Sequence, residues 1–143
     1  MIPWDKLHGA MTHFPIALLL FSTASDFVSF ALKKLPFARE LRLVSFYALA
    51  VAALTSVGAV ISGIALSKGD LWGRGDLLSH HRFVWPAFGL LVALAVWRLV
   101  VKDAMSRTGL RLYLVLMLLA SGLIAAAGYF GGEILLSGGG GVP

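Results

Sequence analysis

"LVSFYALAVAALTSVGAVISGIAL", residues 43–66, runs for 24 positions without a charged side chain. A helix of that length spans ~36 Å at a rise of about 1.5 Å per residue, enough to cross the roughly 30 Å hydrocarbon layer of a bilayer. Three further stretches read the same way: residues 14–32, 83–101 and 112–130. Their separators, "KKLPFARELR", "SKGDLWGRGD" and "KDAMSRTGLR", collect charges, glycines and a proline. Composition agrees, with 59% hydrophobic and only 13% charged residues and a mean hydropathy of +0.88. A soluble domain carries about 25% charged residues, so this chain lacks the polar surface to cover a water-facing globule. The 143 residues are therefore predicted to form a single all-α domain, an integral membrane four-helix bundle with lipid as its first partner.

The net charge of +5 is read as a membrane signal and not as a nucleic-acid footprint. Lys33, Lys34, Arg39, Arg42, Arg98, Lys102, Arg107 and Arg111 flank one side, against Lys6, Lys68, Arg74 and Arg82 on the other. That bias predicts a multi-pass membrane protein with loops one and three in the cytoplasm and both termini and the second loop on the outer side. The opening "MIPWDKLHGA" has no basic region and cleavage site, so the first span is expected to be retained. The closing glycine run predicts a flexible tail over 137–143. The absence of cysteine excludes disulfides, thiolate metal sites and iron–sulfur clusters.

All four histidines, His8, His13, His80 and His81, precede or open odd-numbered spans, so the topology gathers them on one side. Pro15 and Pro86 follow one turn inside, and Asp76 reads as the cap of the third helix. Neutral imidazoles supplied by two neighbouring helices suit a porphyrin iron, with Arg82, Arg74 and Lys68 on the same side for its propionates. His13 and His81 are the expected primary pair. His8 and His80 are a second pair or hydrogen-bonding partners, and all four are candidate ligands for a non-haem metal such as copper or zinc. Structural residues capping helix ends would show the same pattern.

Asp26 is the acid inside an apolar span, with no second intramembrane charge evident to pair with it. It is expected to be a protonated, hydrogen-bonded structural acid, or to serve proton transfer or quinone binding. Glu133 lies on the histidine side and is a candidate to set an imidazole tautomer. The second helix (Ala48, Ala52, Ser56, Ala59, Gly63) and the fourth (Ser121, Gly122, Ala125, Ala126, Gly128) carry small residues that allow close helix approach. No nucleotide loop, serine-hydrolase elbow or inverted repeat is present, and no residue is a candidate for catalysis.

At "THFPIALLLFSTASDF" the chain resembles a bacterial four-helix transmembrane family catalogued as domain of unknown function 2231. The matching residues are His8, His13, Phe14, Pro15, Ile16, Asp26, Gly63, His81, Arg82, Gly131, Gly132, Glu133 and the closing "GGV". "HG" stands at positions 8–9 where that family often has His-Pro. The layout is similar to that of small membrane b-type cytochromes. This likeness implies a haem b-binding electron-transfer subunit of the bacterial cytoplasmic (inner) membrane, its termini on the periplasmic side, exchanging electrons between a periplasmic c-type cytochrome or oxidoreductase and the quinone pool. The alternatives are a cofactor-free anchor or assembly subunit of a larger complex, and a periplasm-facing copper-handling protein.

Overall fold

The computed structural model describes residues 3–102 and 104–136, and the glycine-rich tail expected at 137–143 lies outside them. Four helices follow one another: α1 (Trp4–Ala31), α2 (Ala38–Leu66), α3 (Asp76–Val101) and α4 (Arg107–Leu136). Each is long and apolar enough to cross a membrane. The helices outrun the apolar windows read from sequence. α1 begins at Trp4 instead of near Phe14, and α3 begins at Asp76, ahead of its apolar run, close to where the cap reading put it. Hydropathy detects only the lipid-immersed centre, whereas backbone hydrogen bonding carries a helix on into the headgroup layer. The 28 residues of α1 make ~42 Å, about 12 Å more than the hydrocarbon itself. α1 and α3 run on through Pro15 and Pro86.

Polar hydroxyls fasten the helices to one another. Ser22 Oγ of α1 donates to the Ser45 carbonyl of α2 (2.9 Å), and Thr23 of α1 meets Ser121 of α4 (2.9 Å). Ala48, Ala52, Ser56 and Ala59 of α2 are all buried, so the expected small-residue face does pack inward. On α4 the expectation fails in part. Gly122, Ala125 and Gly128 are exposed or only partly covered, and the buried face is Tyr113, Met117, Ala120, Ser121 and Ala127. Between helices, lipid-like side chains gain no hydrophobic driving force, so shape and hydrogen bonds choose the face. Phe14, Leu54, Ile61, Val100 and Val115 are left outward, as lipid contact permits.

The inward faces of the two helical hairpins repeat. Pro15, Leu19, Ser22, Thr23 and Asp26 are buried on α1. Ala87, Leu91, Leu94, Ala95 and Arg98 are buried on α3, each 72 positions later. Ser45, Leu49, Ala52 and Ala59 of α2 correspond likewise to Tyr113, Met117, Ala120 and Ala127 of α4, each 68 positions later. Such a pattern is that of two parallel repeats facing a common axis along the bundle.

A nine-residue loop joins the hairpins at the histidine end. The Asp70 carboxylate accepts the Trp72 and Gly73 amides (3.0 and 2.8 Å), and Trp85 Nε1 donates to the Leu71 carbonyl (2.8 Å). Those two amides hold the Asp70 carboxyl below its ordinary value. Gly75, at φ +58°, is the residue that caps α3. Asp76, expected in that role, is instead the first helical residue, where its charge complements the helix dipole.

Candidate functional site

The two hairpins carry the same histidine clasp. His8 of α1 points its Nδ1 at the Ala59 carbonyl of α2 (3.0 Å) and at Ser62 Oγ (3.0 Å). Its ring lies over Gly63, where a β-carbon would stand 2.9 Å from His8 Cε1. His80 of α3 points its Nδ1 at the Ala127 carbonyl of α4 (2.8 Å), and its ring lies over Gly131, where a β-carbon would stand 3.2 Å away. In each hairpin an alanine carbonyl and a glycine four residues later receive one imidazole. A carbonyl can only accept, so Nδ1 carries the hydrogen in both rings and the Nε2 lone pair is left available in the neutral form. Metal-binding histidines are oriented in this way, by a backbone acceptor on the other nitrogen.

His81 lies beside His80, with ring centroids 5.7 Å apart, and on its other side Trp85 is 6.2 Å away. It is buried, and its Nδ1 has no hydrogen-bond partner among the described residues. A buried polar nitrogen left unpaired is uncommon, and a water, an ion or a ligand is the usual partner. His8 and His80 stand at the same end of the bundle, one on each hairpin.

The opposite end of the bundle holds a buried ion pair. Arg98 Nη1 of α3 donates to both oxygens of Asp26 on α1 (3.2 and 3.1 Å). Tyr113 OH of α4 donates to Asp26 Oδ2 (2.9 Å), and Arg98 Nη2 donates to the Arg42 carbonyl at the start of α2 (3.3 Å). The Arg98 guanidinium also lies 5.2 Å from the centre of the Tyr113 ring. All four helices meet in this network.

Residues 5–143 match the family described as "Predicted membrane protein (DUF2231)". The chain belongs to that family. No curated protein and no solved structure matches it.

The positions of the sequence candidates in this DUF2231 chain differ from the expected pairing. His81 is buried in the cluster. His13 is exposed, and its Nδ1 is taken up by the Gly9 carbonyl of its own helix. The structure therefore sets His81 beside His80 and leaves His13 outside, and the clasp glycines sit where His8 reaches and not where His13 does. Arg82, Arg74 and Lys68 are exposed at the same end. Glu133 is exposed as well, with no hydrogen bond to a histidine among the described residues. Among those residues no three His, Asp or Glu side chains converge as ligands for a bare metal ion.

Asp26 requires a correction. It has an intramembrane partner, Arg98, where the sequence showed no second charge to pair with it. Thr55 and Ser56 of α2 bond to carbonyls of their own helix. Counting Arg98 among the cations that flank a loop hid the network. A signal was present: eighteen residues separate His8 from Asp26 and the same eighteen separate His80 from Arg98. Eighteen residues make five full helical turns, so each histidine shares a face with the charge at the far end.

Proposed function

We propose that this membrane protein is an electron-transfer subunit holding haem b at its histidine end. The observation that carries the reading is the duplicated clasp: Nδ1 of His8 and of His80 is tied to a backbone carbonyl, which leaves Nε2 as the donor. A porphyrin supplies most of its iron's donors and one or two histidines would complete the set, so the lack of a three-ligand cluster among the described residues does not count against it. His8 from one hairpin and His80 or His81 from the other would hold the group, and the unpartnered Nδ1 of His81 marks a polar atom still seeking a partner. Bound there, haem iron would supply a one-electron centre. The residues of the chain orient the imidazoles, exclude water from the buried His81 side, and offer Arg82, Arg74 and Lys68 to propionates. With the histidine end facing the periplasm, as the Lys/Arg bias favours, the redox partner is a periplasmic c-type cytochrome or oxidoreductase, with quinone as the membrane carrier.

The test is a reduced-minus-oxidised absorption spectrum, with a metal assay, on the detergent-purified full chain. A Soret band lost in His8→Ala and His80→Ala, but kept in His13→Ala, is the expected result. A colourless, iron-free protein with native thermal stability would refute the reading.

A second reading is favoured by the same hydrogen bonds: a cofactor-free membrane anchor in which His8 and His80 simply lock each hairpin. In that case His8→Gln lowers the unfolding temperature of a protein that never shows a haem band.

A further inference from the structure

The arginine end contains a cleft of about 200 Å³ between the four helices, and the ion pair forms its floor. Its wall includes Lys33 after α1, Arg42 of α2, and Arg98 and Lys102 at the end of α3, with Asp26 as the one acid among the described residues. Asp26 is already satisfied by Arg98 and Tyr113. Three cations therefore remain around one opening, and among the described residues none of them forms an ion pair. Phe30, Leu110 and Leu114 supply an apolar side to the same cleft. Lys33 Nζ stands 6.0 Å from the centre of the Phe30 ring, which holds the ammonium beside that apolar wall.

Like charges gathered at a low-dielectric boundary repel unless an anion sits among them. A phosphate group meets the requirement, since it accepts several charge-assisted hydrogen bonds at once. The apolar side adds a second condition, a hydrocarbon portion continuous with the phosphate. We infer that this cleft is a binding site for a phosphate-bearing anion, the headgroup of an acidic phospholipid whose acyl chain lies along Phe30, Leu110 and Leu114. Arg98 is fixed by Asp26 and orients the floor, while Lys33, Arg42 and Lys102 grip the anion. The site is independent of the histidine end and of anything bound there.

The test uses the full chain in nanodiscs of phosphatidylcholine doped with phosphatidylglycerol, with lipid retention read by native mass spectrometry after transfer to detergent. Retention of one phosphatidylglycerol per chain, in preference to phosphatidylcholine, is expected. Lys33→Gln/Lys102→Gln changes two exposed side chains and should weaken retention on the order of 10-fold, from the usual effect of each basic residue near an anionic lipid. Lys68→Gln/Arg74→Gln, at the opposite end, should leave retention unchanged. Competition by millimolar inorganic phosphate alone, without lipid selectivity, would assign the same site to soluble phosphate. Equal loss in both double variants, or no preference for the anionic lipid and no effect of phosphate, would overturn the inference.

Discussion

Replacing Asp26 by asparagine preserves the shape of the buried network and removes its negative charge. Asp26 and Arg98 are each 5% exposed, and Tyr113 is fully buried. The variant therefore leaves a guanidinium at the edge of the hydrocarbon with one neutral amide oxygen in place of a carboxylate, and turns an amide NH2 toward another donor. Stranding one partner of a buried pair costs about 3–5 kcal/mol. The neighbouring cleft gives Arg98 some access to water, so the lower end of that range is expected. Arg98→Met should cost less, because a stranded carboxyl can take up a proton and a guanidinium cannot shed one. Removing both charges in Asp26→Leu/Arg98→Met leaves the Tyr113 hydroxyl without its acceptor, at about 1–3 kcal/mol, and takes one donor from the partly buried Arg42 carbonyl. Adding Tyr113→Phe should recover most of the Tyr113 loss. With Asp26→Leu as the matching single variant, the coupling between Asp26 and Arg98 comes to roughly 2–3 kcal/mol in a double-mutant cycle. Reversible unfolding in mixed detergent micelles, followed by tryptophan fluorescence, measures it. Single variants that each cost under about 0.5 kcal/mol, or a strictly additive double variant, would refute the reasoning.

Gly63→Ala should destabilise by about 1–3 kcal/mol, since the new methyl meets the His8 ring at 2.9 Å. His8→Ala should relieve most of that cost in the double variant, measured by the same unfolding assay. Gly58→Ala should be nearly neutral despite a closer approach, 2.3 Å to Met11 Cε, because the end of a methionine chain swings aside easily. Asp70 provides a pH test. Its carboxyl is held below the ordinary value of 3.8 by two backbone amides. The stabilisation is complete above that value and is lost as pH falls through the lower, folded one. Amide exchange at Trp72 and Gly73 should therefore lose protection on acidification below about pH 4, whereas Asp70→Asn should flatten that dependence.

The axial layout of this protein was legible in its residues, and the rotation of each helix was not. Four uncharged or nearly uncharged runs require four crossings, and alternate crossings put His8, His13, His80 and His81 at one end. Hydropathy along those runs does not say which side of a helix meets protein and which meets lipid, because both surroundings are apolar; small residues marked the inward face of α2 but only part of that of α4. Packing decides it. Glycine at 63 and 131 makes room for His8 and His80, His13 is left facing outward, and the far ends of α1 and α3 bring Asp26 against Arg98. Chain chemistry determined the depth of each residue in the membrane, and only the close approach of the four helices determined its direction around the helix axis.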